Sequence, residues 1–185
     1  MTAAMELAEE GGFDNVRLRD VAQRAGVAMG TLYARFRSKE DILVAVLEEE
    51  AEKLEELFAT YPATDPLCRD RVYYYFAAVT QLMFTRPNFA KALLRAVATG
   101  NHETAGKVAR YQGRLNALIL AAMHGDGTGH PSTVRADREE EIAFLLQQIW
   151  FAALVGWMSG IRDEDDVLRQ MNLAIDIVLT GATAG

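Results

Sequence analysis

Cysteine, proline and strand signals are all scarce in this sequence, and each scarcity excludes something. One cysteine, Cys68, leaves no disulfide framework and no CxxC metal pair. That places the chain in a reducing, cytoplasmic compartment. Four prolines in 185 residues leave long runs uninterrupted, which favours helices. No run of β-branched residues alternates strictly, and no Asn-Gly turn joins two such runs. No stretch approaches the roughly twenty apolar residues that span a bilayer, and no charged-then-apolar signal peptide opens the chain. No membrane partner is therefore expected. Histidines are few as well. His102-Glu103 lacks a zinc-binding partner because position 106 is Gly, and His124 and His130 flank a glycine loop as solvated residues. The Gly125–Gly129 run follows no strand and precedes no Lys, so it is not a phosphate loop. The residues assemble no catalytic constellation, metal site or cofactor site, and the chain reads as a non-enzyme.

What is present is helical spacing almost everywhere. Half of the chain is apolar, enough for a sizeable core. Residues 2–10 form a first helix, ended by Gly11-Gly12. Residues 17–25 form a second, ended by Gly26, and residues 28–36 a third. Ser38 caps a long helix over 39–60, with Asp41 in its first turn. The run Tyr61-Pro62-Ala63-Thr64-Asp65-Pro66 is a break. Helices resume over 66–85, from Pro87 to about Thr99 with Gly100-Asn101 ending it, and over 102–123. The longest loop is 124–131. Residues 134–159 carry Ile142, Leu145, Leu146, Ile149, Ala153, Leu154 and Trp157 at helical intervals, closed by Gly160. The acidic cluster from Asp163 to Asp166 opens the last helix as a cap. The expectation is an all-α chain of about nine helices.

Residues 18–33 are the most informative. Two helices crossing steeply over a short turn need a small residue at the crossing, which Ala22 supplies. The turn needs a residue that tolerates left-handed φ, which Gly26 supplies. Leu18, Val21, Val27 and Leu32 would fill the angle between the helices. The second helix would then expose Met29, Gly30, Thr31, Tyr33 and Ala34. Charge agrees with this reading. Between residues 17 and 39, Arg17, Arg19, Arg24, Arg35, Arg37 and Lys39 stand against Asp20 alone, a local net of +5 on a chain of −7. An acidic chain does not coat nucleic acid along its whole surface, but a local basic patch can direct it to DNA.

The run from Gly12 to Leu43 closely resembles the amino-terminal domain of the TetR family. Its most diagnostic part is Gly30-Thr31-Leu32-Tyr33, followed by Phe36 and by Ser38-Lys39-Glu40. The resemblance is strong over about residues 3–47 and architectural beyond. It implies residues 1–47 as a helix-turn-helix DNA-binding domain and 48–185 as a helical effector-binding and dimerisation domain. It further implies a homodimer on palindromic operator DNA, acting as a repressor released by a small molecule. Carried over by position, Arg17 and Arg19 would face backbone or base edges, with Arg35 adding to the basic surface. Gly30 and Thr31 would let the helix approach the groove, while Tyr33 and Lys39 would hold phosphates. The family usually has Ser or Thr, and often Lys next, where this chain has Ala28 and Met29. Met29 would offer apolar contact to a thymine methyl. The basic segment usual before Thr2-Ala3-Ala4 is missing, so the first helix reads as truncated. The rival reading is a helical small-molecule-binding dimer with weak or lost DNA binding. Val16-Arg17-Leu18-Arg19 and Val27-Ala28-Met29-Gly30 are similar to actinobacterial repressors of sterol and lipid catabolism, which implies a bulky lipid or acyl-CoA effector.

In the body, most aromatic and methionine residues read as core. The resemblance implies a largely apolar pocket, with Phe76, Thr80, Met83, Phe84, Leu94, Leu118, Phe144, Gln148 and Phe151 as candidate lining. Gln81, Asn116 and Gln147 are further polar residues among apolar faces. The helix over 134–159 is apolar on more than one face and so needs cover on two sides. A four-helix interface with a symmetry mate would supply it, through Ile149, Trp150, Ala153, Leu154 and Trp157 with Val167, Met171, Ile175 and Val178.

Overall fold

A computed structural model of the chain describes residues 1–99, 102–125 and 138–183. Among the described residues there are nine α-helices and no strand. They are α1 Thr2–Asn15, α2 Leu18–Ala25, α3 Met29–Arg35, α4 Lys39–Thr60, α5 Cys68–Phe84, α6 Pro87–Ala98, α7 His102–His124, α8 Glu139–Met158 and α9 Glu164–Thr183. Gly100-Asn101, most of the 124–131 loop and the start of the helix expected from 134 lie outside the described residues.

Local chemistry sets most helix ends. Gly11 and Gly12 break α1 as the sequence suggests, but the helix resumes to Asn15, whose Nδ2 donates to the Leu7 carbonyl at 3.0 Å. Gly26 takes the left-handed conformation (φ 66, ψ 28). Its N–H bonds to the Gln23 carbonyl, and the Val27 N–H reaches back to Ala22, the doubled closure of a Schellman turn. Ser38 Oγ accepts the Asp41 N–H at 3.2 Å while Asp41 Oδ2 accepts the Arg37 N–H at 3.0 Å, so α4 begins in a reciprocal cap. Pro87 opens α6, where its missing N–H costs nothing. Asp163 and Asp166 cap α9 by accepting each other's backbone N–H.

The chain divides into two compact units, Met1–Glu52 with Met83–Gln112, and Lys53–Leu82 with Gly113–Gly185. In the first, α1 packs along α6 and against α2, which packs on α3. Leu7, Phe13, Val21, Leu32, Phe36 and Leu43 share its core with Phe89 and Leu93. Glu9 fastens the start of α6, accepting the Phe89 N–H at 2.9 Å through its carboxylate and the Asn88 Nδ2 at 3.0 Å through its backbone carbonyl.

In the second unit α8 lies along α9. Trp150 and Trp157 are buried on one helix, and Val167, Met171, Ile175 and Leu179 on the other. The Trp150 indole N–H donates to Thr80 Oγ1 at 2.8 Å, and its ring stands 5.9 Å from that of Phe76. By length and composition α8 is apolar enough to cross a membrane, with a mean hydropathy of 1.4 over its most apolar window. This corrects the expectation that no stretch comes near that length. The apolarity has a local cause, because Ile142, Leu146, Trp150 and Leu154 are all buried within the unit.

Arg71 closes one corner of this unit. It is 1% exposed. Its guanidinium donates to the carbonyls of Ala122 and Met123 at the end of α7, at 2.9 and 2.7 Å. It also donates to the carbonyls of Asp65 and Pro66 in the break before α5, at 2.9 and 3.0 Å. Gly125 follows with φ +69, and a Cβ there would stand 2.8 Å from Arg71 Nε, so both backbone and space demand glycine. Replacing Arg71 by Ala strands several buried carbonyls at about 1–3 kcal/mol each. Urea unfolding of R71A should show a loss of roughly 3 kcal/mol or more, and an unshifted midpoint would refute this role.

Candidate DNA-binding head and effector cavity

The residues expected on the outer side of α3 fall into two groups. Gly30, Thr31, Tyr33, Ala34 and Arg35 are exposed, with Tyr33 at 56%. A Cβ built on Gly30 meets nothing within 4 Å, so the bare backbone leaves that face open. Met29 departs from expectation, since it is half-buried and packs on the core of the unit. Its place in the first turn of α3 lets its unbranched side chain reach that core. Val27 departs in the other direction: it is 40% exposed, and Val21, Ala22 and Leu32 fill the angle without it. Ala28 offers no side-chain bond to the start of α3, as its chemistry requires.

The six cations of residues 17–39 also separate. Arg24 grips Glu10 with two bonds of 2.7 and 3.0 Å. Arg37 pairs with Glu103 at 3.0 Å and Lys39 with Asp14 at 3.4 Å. Arg17, Arg19 and Arg35 have no carboxylate partner among the described residues. The basic patch therefore presents three cations directly and three through pairs that must open. Sequence counting missed this, because the partner carboxylates lie 14 to 66 positions away.

Carboxylates tie the long helices of this unit to one another. Lys107 on α7 meets Asp41 at 2.5 Å and Arg110 meets Glu48 at 2.9 Å. Burial pushes the Asp41 carboxyl up, but the Lys107 hydrogen bond, the Arg37 amide and both charges outweigh it and hold it below its ordinary value. Arg24 does the same for Glu10.

The second unit contains a cavity of about 130 Å³ lined by Phe58, Pro62, Ala63, Tyr75, Leu118, Ala121, Ala122 and Gly125. It is apolar, and its size approaches that of a cavity known to take one benzene ring. Of the residues expected to line a pocket, Leu118 alone is among its lining. Phe76 and Thr80 are wholly buried and engaged with Trp150. Met83, Phe84 and Leu94 belong to the first unit. Phe151 and Gln148 are half-buried outside the lining. Phe144 is 52% exposed, because the inner face of α8 is filled by Ala143, Leu146, Gln147 and Trp150. Of the remaining polar candidates, Asn116 and Gln147 each hold a buried amide oxygen without a hydrogen-bond partner.

The residues expected at a dimer interface are mostly interior. Trp150, Ala153, Leu154, Trp157, Val167, Met171 and Ile175 are each at most 6% exposed within one chain, and Ile149 and Val178 are half-buried. The chain buries most of them itself: α8 lies along α9, and Trp150 meets Thr80 and Phe76 of α5. The apolar side chains left outward are Phe144 and Leu145 on α8 and Leu173 and Ile177 on α9. Periodicity showed that α8 needs cover on two sides without showing which side the chain covers itself. His124 likewise ends α7 and meets Glu139 Oε2 at 2.8 Å, so it is no isolated loop residue.

Residues 1–46 match the family model for bacterial regulatory proteins of the tetR family, and residues 67–178 match that of a tetracyclin repressor-like carboxy-terminal domain. The chain belongs to the TetR family. It is 28% identical over 179 residues to the HTH-type transcriptional repressor KstR of Rhodococcus jostii, covering 97% of this chain and 80% of that protein. A TetR transcriptional regulator from Rhodococcus sp. RHA1 superposes with a TM-score of 0.81 at 28% identity, over 96% of this chain and 91% of the other. FadR of Thermus thermophilus, solved with lauroyl-CoA, shares the fold at a TM-score of 0.69 and 17% identity, over 97% of this chain and 91% of its own. The relatives are transcriptional regulators, and this TetR-family chain has the all-α architecture of the group.

The lowered Asp41 carboxyl fixes a pH dependence. A carboxyl depressed in the folded state stabilises the fold above its unfolded value, near 4, and loses that contribution as pH falls through its folded value. The thermal midpoint should hold level above about pH 5 and decline below about pH 4. In D41N the plateau should be lower and the decline shallower; an equally steep decline would show that Asp41 is not a source of it.

Proposed function

We propose that the protein is a ligand-responsive transcriptional repressor, cytoplasmic, binding palindromic operator DNA as a homodimer and released by a small, largely apolar effector. Residues 1–47 are the DNA-binding domain in this reading, and 48–185 the effector-binding and dimerisation domain. The observation that carries it is the outer face of α3, where Gly30, Thr31, Tyr33 and Arg35 stand exposed. Arg17 and Arg19 are exposed at the start of α2, and none of the three arginines has a carboxylate partner among the described residues. Arginines and a phenol on an open helix face suit phosphate and base-edge contacts. Lys39 and the Tyr33 hydroxyl take positioning contacts to phosphates. Met29 contributes less to base reading than its position suggests, since its side chain is spent on packing.

The effector is lipid- or acyl-CoA-related. The apolar cavity beside Tyr75 and Leu118 supports this, and so does the lauroyl-CoA found with the Thermus fold neighbour. The cavity takes a ring or a short alkyl segment. Fluorescence anisotropy with palindromic duplexes across salt should show a steep dependence, and lauroyl-CoA should release the DNA. Tyr33→Phe should weaken all duplexes alike by several-fold, about 1 kcal/mol. A flat salt response would favour the rival reading, a small-molecule-binding dimer without DNA grip.

The dimer uses the second face of the α8–α9 pair. Leu173 and Ile177 lie one turn apart on α9 at 59% and 63% exposure, with Phe144 and Leu145 outward on α8. Such a patch suits an isologous interface around a two-fold axis. Ile177→Glu should give monomers by sedimentation at micromolar concentration, while Ile175→Val, on the buried face, should leave the dimer intact. A dimer in I177E would place the interface elsewhere.

A further inference from the structure

Phe13 and Asp14 stand near the end of α1, and two cations from other helices converge on them. Lys39 Nζ lies 4.1 Å from the centre of the Phe13 ring and 3.4 Å from Asp14 Oδ1. The Arg95 guanidinium of α6 lies 4.5 Å from the same ring centre, and its Nη1 is 2.8 Å from Asp14 Oδ2. The two cations thus share one ring and one carboxylate, but not equally. Arg95 makes the close bond and Lys39 the long one. Arg95 and then Lys39 hold the Asp14 carboxyl below its ordinary value. The carboxylate side chain is 72% exposed, so an approaching phosphate would meet it.

A carboxylate beside a phosphate-binding lysine does two things. It competes for the ammonium, and it repels the incoming anion. Both effects weaken when another cation already engages the carboxylate. We propose that Arg95, though on α6, is a positioning residue for DNA binding: by holding Asp14 it lets Lys39 exchange that carboxylate for a backbone phosphate. Without Arg95, Lys39 is the sole counter-ion of Asp14 among the described residues and is withheld from DNA. Asp14 is then an internal stand-in for phosphate, and Arg95 decides which of the two Lys39 serves. The inference rests on reading residues 1–47 as a DNA-binding head. It is confined to pairs within one compact unit and needs no contact between Arg95 and DNA.

The test uses full-length protein and a mixed-sequence duplex of about thirty base pairs, because phosphate contacts are sequence-independent. Anisotropy is read across potassium chloride for wild type, R95A, D14N, the double variant and K39A. R95A should weaken binding roughly threefold per protomer, the scale of an exposed ion pair. D14N should tighten it by a similar factor. In the D14N background, R95A should have no effect. K39A should lower the salt slope by about 0.9 per protomer and shrink the effects of the other two substitutions to what direct repulsion by Asp14 leaves. Arg95→Lys, which keeps the charge, should restore most of the loss, and thermal melts of each variant check that the fold persists. Two results would overturn the proposal: an R95A loss of equal size with and without Asp14, or no R95A loss at all. Wild type that binds no duplex at low salt overturns the DNA-binding reading as well, whereas wild-type binding with additive variants overturns the exchange alone.

Discussion

Helix α3 is seven residues long, well below the length at which a helix holds itself in water. Its geometry is borrowed. Leu32 from α3 and Phe36 just beyond it are buried in the core of the first unit, and the Gly26 turn sets the direction from which α3 starts. What surrounds α3 can be read as the frame for that loan. α1 lies against α2 and α6, and α4 is capped and charged at its start. The carboxylates of Glu10, Asp14, Asp41 and Glu48 join helices distant in sequence. A helix this short and without a side-chain cap depends on such support. The exposed side of α3 is free to carry function because its inner side carries none.

Local features were legible in the sequence because local physics decides them. Gly26 stands between two helical stretches where a left-handed turn is needed, and glycine takes positive φ at little cost. Ser38 and Asp41 had the spacing of a cap, and Asp163 with Asp166 had the same. Helical periodicity located the helices closely among the described parts of the chain, except that α1 resumes past Gly11-Gly12 and ends at Asn15, five residues beyond the expected end. Face assignment was another matter. The stripe through Trp150, Leu154 and Trp157 said that a surface had to be covered, and the same chain buries it, with Thr80 and Phe76 of α5 against Trp150. Phe144 and Leu145, which looked like pocket or core, are the outward ones. Val27 and Met29 exchanged places for the same reason: periodicity does not reveal which neighbour arrives first to fill a space.

Charge was legible in amount and not in arrangement. A local net of +5 is visible by counting, but three of its six cations are bonded to carboxylates from α1 and α7. Pocket chemistry was the least legible. Thr80 has the composition of a ligand contact and the position of a structural one, since its oxygen takes the Trp150 indole proton. The cavity draws instead on Pro62 and Ala63 from the chain break and on small residues near the end of α7. No periodic pattern marks such a lining, because it is made by absence of bulk.

Carboxylate ties join helices in both units, but the Arg71 corner of the second is fastened by another chemistry. In the first, the ties between helices run through carboxylates, each of which gains a proton in acid. At the Arg71 corner of the second, a guanidinium holds the carbonyls of Asp65, Pro66, Ala122 and Met123. None of those oxygens takes up a proton in the range where carboxylates do. Acid therefore does not reach every fastening alike. Carboxylate ties, Arg69–Asp176 of the second unit among them, lose their charge, while the guanidinium–carbonyl bonds of the corner beside the cavity keep theirs.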